Sequence, residues 1–151
     1  EKVIECIGRG VNVIHADIEA GLTEFADNSF DYVVMGQTLQ ATHYPADLLG
    51  QMLRIGKQGI VTLPNFGHWS CRLQLGLLGR MPVSPALPVA WYETENLHLC
   101  SLDDFEHLCQ QQRLKVIERQ VLSHQHTRSG LGSRVLPNLF GEVALYRVAK
   151  Q

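Results

Sequence analysis

Hydrophobic positions along this chain change period from segment to segment, and each change marks a predicted element. Val3, Ile4 and Ile7 fall at i, i+1 and i+4, one face of a helix over Glu1 to Arg9, and Gly8 and Gly10 stand where such a helix stops. The run VNVIHAD is short and rich in Val and Ile, which predicts a strand over Val11 to His15 that gives way at Asp17. Asp27-Asn28-Ser29 is a turn signal ahead of a second strand, Asp31 to Met35. Leu48, Leu49, Met52, Leu53 and Ile55 then recur at helical spacing, with Pro45 in the first turn, where no backbone N–H is needed. Gly56 ends that helix, and a third strand follows over Gly59 to Leu63, closed by Pro64.

Beyond Pro64 the alternation loosens. Trp69 to Leu78 has the pattern of an amphipathic helix, and the Pro-rich apolar insertion at about 80–95, with Pro82, Pro85 and Pro88, predicts a long ordered loop. Ser101 is a helix N-cap with Asp103 and Asp104 in the first turn, and Phe105, Leu108 and Cys109 form the inward face. Strands are expected at Leu114 to Leu122 and Glu142 to Val148, joined by a long polar loop without a helix, hence an antiparallel hairpin at the sheet's edge. Apolar strands without polar alternation, separated by helices, predict an α/β domain with a mostly parallel sheet covered on both faces. The 151 residues fit one such domain.

Composition narrows the functional classes. Thirteen Lys and Arg against fifteen Asp and Glu form no basic stripe, so nucleic acid is not an expected partner. No apolar run reaches the roughly 20 residues of a membrane helix and the first residues lack a signal-peptide pattern, which predicts no membrane partner and a cytoplasmic protein. Cys6, Cys71, Cys100 and Cys109 show no CxxC spacing and are expected to be reduced thiols.

In an open α/β sheet, ligands bind beyond the carboxyl ends of the strands. Asp17, Gly36-Gln37-Thr38 and Pro64-Asn65 all stand at such ends. Gly36 allows close approach of backbone to a ligand, Gln37 offers both a donor and an acceptor, Asp17 accepts hydroxyl or amino protons, and Ile18 would pack on a flat ring. The plainer alternative is that Asp17 starts a turn while Gln37 and Thr38 cap the next helix. His43, Tyr44, His68, Trp69 and Tyr92 are candidates to overhang the crevice, as catalytic groups or as packing and capping residues; no catalytic residue is assigned. His98 with Cys100 and His107 with Cys109 do not have the spacing of a metal site, so no metal is expected. No G-x-S-x-G elbow occurs. The insertion, with Met81, Val83, Leu87, Val89, Trp91 and Tyr92, is either a cover on the core or a lid or docking surface. The loop SHQHTRSGLGSR, with His124, His126, Arg128 and Arg134, is either a solvated tip or a surface for an acidic partner.

The order HADI, NSFDYVVMGQTLQ and MLRIGKQGIVTLPN resembles the third, fourth and fifth strands of the class I S-adenosylmethionine-dependent methyltransferases, a Rossmann-like fold. That resemblance implies Asp17 and Ile18 near the adenine of S-adenosylmethionine and Gln37, with Thr38 beside it, near the methionine part. More narrowly, GQTLQATHYP, LPNFGHWSCRLQLGLLGRMPV, WYETENLHLCSLDDFE and RVLPNLFGEVALY resemble the MetW family of methionine biosynthesis proteins. This implies a role in supporting a homoserine O-acyltransferase partner, with a methyltransferase of an unknown small molecule as the alternative. The methyltransferase family opens with a strand, a GxGxG loop and a second strand ending in a ribose-binding acid. Those N-terminal strands have no match in this sequence, and the expectation is that roughly 40 residues, the length of a βαβ unit, precede Glu1.

Overall fold

A computed structural model of the chain describes residues 2–14, 16–20, 22–85, 88, 90–94, 98–122 and 131–151. His15 of the expected first strand, Leu87, Val89 and Glu95 of the insertion, and His124, His126 and Arg128 of the polar loop lie outside the described residues.

The first helix, α1, spans Lys2–Gly8, as the apolar spacing predicts. The strand expected next does not form over residues 11–14, and Val11 and Ile14 are exposed. A strand persists only when a neighbour satisfies its backbone, and no described strand lies beside this one. A 3-10 turn occupies Ile18–Ala20 instead. The sheet proper begins with β1, Phe30–Gly36, followed by helix α2, Pro45–Ile55, and strand β2, Gly56–Pro64. Helix α3 spans Trp69–Leu78 and α4 spans Leu102–Gln111. Strand β3, Leu114–Leu122, is separated from β4, Val143–Lys150, by two short helices, α5 at Leu131–Val135 and α6 at Pro137–Phe140. The connection expected to be a loop without a helix therefore holds two, and Pro137 at the first position of α6 is the local signal for the second.

The four strands lie in the order β1-β2-β4-β3. β1 and β2 run parallel, with Val34 opposite Ile60 and Gly36 opposite Thr62. β4 is antiparallel to both β2 and β3, and an irregularity between Val116 and Glu118 shifts its register with β3. The expected edge hairpin is therefore present, and the sheet is mixed, with one parallel pairing among the described strands. Met35, Val61, Leu63, Ala144, Tyr146 and Val148 form a single buried cluster with Leu48, Leu49, Met52 and Leu53 of α2 and Phe105 and Cys109 of α4. Each fully buried apolar side chain of this kind contributes about 1.5–3 kcal/mol. Gly59 sets how close α2 comes to the sheet, because a Cβ there would lie 2.9 Å from Met52 Cε and 3.2 Å from Leu53 Cδ2. The opposite face is not covered along β1, where Phe30, Tyr32 and Val34 are exposed, so the expectation of helices on both faces fails among the described residues.

The hydroxyl of Tyr146, a core residue, is matched at the edge of the core rather than orphaned. The Tyr146 hydroxyl donates to Glu106 Oε1 at 2.9 Å, and Arg119 donates to the same oxygen at 2.6 Å. Burial, reinforced by the Glu106 charge, pushes the tyrosine pKa well up, so it stays a neutral donor. Burial likewise pushes the Cys100 and Cys109 thiols up to about 11. All four cysteines are free.

Asn65 joins the end of β2 to the carboxyl-terminal elements. It is 4% exposed. Its Nδ2 donates to the carbonyls of Asn138 at 3.0 Å and Gly141 at 2.8 Å, while Oδ1 accepts from Gly67 N at 2.8 Å and Leu102 N at 3.3 Å. Residues far apart in sequence thus share one amide. Asn65→Ala is expected to leave two carbonyls and an N–H unsatisfied and to cost about 2–4 kcal/mol. Urea denaturation is the check, with a lower midpoint and an unchanged m-value expected.

Candidate functional site

Because β1 and β2 are parallel, their carboxyl ends open onto the same rim. The backbone N–H of Gln37 continues the ladder one residue past Gly36, donating to Thr62 O at 3.2 Å and Thr62 Oγ1 at 3.0 Å. The chain then turns sharply, with Gln37 at φ 49°, a left-handed conformation that side-chain-bearing residues seldom adopt. Thr38 Oγ1 donates to Gly36 O at 2.9 Å and closes the turn, and a 3-10 turn over Leu39–Ala41 leads into α2. The cluster after β1 is therefore neither a hairpin turn nor a helix cap. Thr38 makes no side-chain cap to the turn that follows. The arrangement lifts an exposed glutamine above the strand end at a cost of order 1–3 kcal/mol, and strain of this kind gathers at functional sites.

The segment carrying Asp17 faces this rim through a different residue. Asp17 is exposed and its Oδ1 accepts from Glu19 N at 2.9 Å, the bond of a turn-starting aspartate. Glu19 does the joining. Its carboxylate accepts from His43 N at 2.6 Å and lies 2.7 Å from His43 Nδ1. The His43 backbone bond, then its ring, hold the Glu19 carboxyl below the usual glutamate range. Ile18 is half-buried and packs against the core, and with Glu19, Thr42, Tyr44 and Leu48 it lines a cavity of about 230 Å³. Asp17, Gln37 and Thr38 do not line that cavity. Of the residues expected to bind cofactor, Ile18 lines a pocket, Gln37 and Thr38 form the turn at the end of β1 outside its lining, and Asp17 is engaged in its own turn. Glu19 escaped sequence analysis, although its place two residues after Asp17 is the turn position an aspartate caps.

The other candidates divide by exposure and partner. His68 is the N-cap of α3, its Nδ1 accepting from Ser70 N at 3.4 Å, and burial lowers its pKa, so it remains a neutral acceptor. Trp69, Tyr44 and Tyr92 are exposed. His68 and Trp69 line a second cavity of about 300 Å³ with Val83 of the insertion and Glu142. Asn65, expected at the crevice lip, is buried and committed to the four bonds described above. Among the described residues no group of three or more His, Cys, Asp or Glu side chains could hold a metal, and no helix is long and apolar enough to cross a membrane.

The family model for methionine biosynthesis protein MetW matches residues 1–148. The chain belongs to the MetW family. Consistent with this assignment, the chain is 34% identical over 122 residues to the bifunctional methionine biosynthesis protein MetXA/MetW of Rhodopirellula baltica. The match takes in 80% of the chain and 19% of that relative, so the chain spans about a fifth of the relative's length. In solved structures the fold is similar to an S-adenosylmethionine-dependent methyltransferase from Thermotoga maritima, with a TM-score of 0.63 at 20% identity, covering 95% of this chain and 66% of that one. A second, from Archaeoglobus fulgidus, has a TM-score of 0.61 at 12% identity, covering 99% and 72%. This MetW family member therefore has the Rossmann-like class I methyltransferase fold. Among the described residues the fit to S-adenosylmethionine is partial: Ile18 offers an apolar wall for a flat ring and the raised Gln37 a polar side chain at the strand end, while Asp17 is engaged in its own turn.

The Glu19–His43 contact predicts a titration. In carboxyl carbon NMR, Glu19 should titrate below the ordinary value of about 4.3. A depressed folded value means the contact stabilises the fold above the ordinary glutamate value and is lost as pH falls through the folded one. His43→Ala should bring Glu19 only part of the way back, because the backbone donor remains. A Glu19 titration unaltered by that substitution would show the ring contact to be inert.

Proposed function

We propose that the chain acts in methionine biosynthesis as a methyltransferase-like scaffold that docks a homoserine O-acyltransferase and supports its activity. The carrying observation is helix α3. Of its ten residues only Cys71 is buried, while Leu77 and Leu78 are 77% and 67% exposed and Trp69, Leu73 and Leu75 are exposed beside them. Met81, Val83, Trp91 and Tyr92 of the insertion extend the apolar surface, and Gln74 fastens the insertion to α3 by bonding both N–H and C=O of Val83, at 3.1 and 3.0 Å. Exposed apolar surface of this extent, with aromatic and Met side chains, is the composition of an interface centre. The partner follows from the family. In the Rhodopirellula relative a MetXA part and a MetW part share one name and one polypeptide, and the MetW resemblance implies a homoserine O-acyltransferase as that other activity. A partner joined covalently in one relative is a natural occupant of this face in a separate chain.

The test is co-purification with the acyltransferase of the same organism, and the acyltransferase rate with and without this chain. Leu77→Asp together with Leu78→Asp should weaken the association at least tenfold while leaving the thermal midpoint in place, because both side chains are already in solvent. No association and no change in rate would overturn the proposal.

A second reading, a methyltransferase acting on a small molecule, is favoured by Gln37, whose strained backbone stands at the carboxyl end of β1, the kind of strand end where α/β sheets bind ligands. Calorimetry of the full-length protein with S-adenosylmethionine tests the cofactor part. Binding weakened about tenfold by Gln37→Ala is expected if the amide holds the methionine part. Only methyl transfer to an acceptor would favour this reading over a cofactor-binding scaffold, and absence of binding removes it.

A further inference from the structure

A third cavity lies on the core side of the rim, between the 3-10 turn after β1 and helix α4. Its volume is about 180 Å³ and its walls are Leu39, Pro45, Leu63, Phe105 and Leu108. A dry apolar cavity of about 150 Å³ is enough to take a benzene-sized molecule. Gln40 also lines it. That residue is 4% exposed, and its Oε1 is sealed from solvent without a hydrogen-bond partner. Buried side-chain polar atoms in folded proteins are nearly always paired, so an orphaned amide oxygen on a residue that lines an apolar cavity is a specific departure that calls for a partner.

The other polar groups of the cavity do not meet that demand. Asp104 Oδ2 is engaged by Ser101 N and Oγ in the capping box of α4, at 2.8 and 2.7 Å. The Ser101 bonds hold its carboxyl low, so it brings no proton of its own to Gln40. His98 donates its backbone N–H to the Gln40 carbonyl at 2.7 Å, which fixes the backbone of residue 40 and leaves the side-chain amide aside. The Cys100 thiol, with its pKa raised to about 11 by burial, is neutral and at most a weak donor.

We propose that this cavity is a binding site for a compact, uncharged, mostly apolar molecule of about six to eight heavy atoms that carries one amide or hydroxyl group, with that group bonded to the side-chain amide of Gln40. An uncharged ligand is required because the walls would not repay the desolvation of an ion. An amide or hydroxyl is required because it both donates and accepts, and so complements the glutamine in either orientation of its own amide. The site is separate from the Ile18 pocket and does not depend on the docking surface of α3.

The probe is isobutyramide, titrated into the isotopically labelled full chain and followed by amide NMR shifts, with isobutyl methyl ether as a match of similar size lacking a donor. Saturable shifts centred on Leu39, Gln40, Phe105 and Leu108 are expected for isobutyramide, at least tenfold tighter than for the ether. Gln40→Met keeps the shape and removes the amide; it should abolish the preference for isobutyramide and raise the thermal midpoint, since an unsatisfied group is gone. Leu108→Trp, which fills the cavity from its partly exposed wall, should abolish binding of both probes and covers the case in which the Gln40 variant does not fold. Shifts that never saturate, equal binding of the two probes, or saturation unaffected by Leu108→Trp would each overturn the proposal, as would displacement-resistant water as the sole occupant.

Discussion

The parallel pairing of Phe30–Gly36 with Gly56–Pro64 is the constraint from which the functional end of the molecule follows. Two parallel strands deliver their final residues to one edge, and the connection between them has to travel back along the sheet, here as α2. Gly59 lets that helix sit against the strand, the cluster around Met52 and Leu53 locks it, and Gln37 and Asn65 are consequently carried to neighbouring positions on one rim. Neither residue could be placed there by local preference alone. Gln37 is held in an unfavourable conformation by the last ladder bonds to Thr62, so the stability of the core underwrites the strain at the edge.

Polar groups around the rim follow two different rules. Asn65 and Tyr146 are buried and hydrogen-bonded, Tyr146 to the half-buried Glu106, which makes them fasteners between elements distant in sequence. Glu19 with His43 fastens the loop before β1 to the rim, but from the surface, where solvent weakens it. Gln40 obeys neither rule, being buried and unsatisfied. On the outside, apolar side chains face water along one face of β1, at Phe30, Tyr32 and Val34, and on α3 with its insertion, where leucines, tryptophan and methionine are exposed. A chain of this size gains nothing from such exposure as an isolated body, and the same side chains become favourable once another surface excludes the water around them.

Much of this was legible in the sequence, for identifiable reasons. α2 and α3 begin and end where their spacing places them, with Pro45 and Gly56 bounding α2, and Ser101 caps α4 with Asp104 in its first turn, because these signals are local. β3 spans the residues at which a strand is expected, Leu114–Leu122. The strand at Val11 was not realised, since strand formation depends on a neighbour that local composition cannot supply. The helices after residue 130 escaped because they are short and held by tertiary contacts of α6 with α4. Gln37 and Thr38 follow a strand that the local pattern predicts and Ile18 follows one that does not form, while the Glu19–His43 bond spans 24 positions and the orphaned Gln40 oxygen is a property of packing. Neither leaves a trace in spacing. The double role of Asn65 was misjudged for the same reason: its four partners come from segments that only the completed fold brings together.

The thiols give the chain a practical property. With pKa values near 11, Cys100 and Cys109 are ionised to only about one part in ten thousand at neutral pH, and Cys71 is buried as well. Alkylating probes react with the ionised sulfur, so these three positions are slow targets in the folded state, whereas Cys6 lies half-buried on the short first helix, away from the core cluster. A fluorophore attached there would report on the first helix while the interior stays chemically silent until it unfolds.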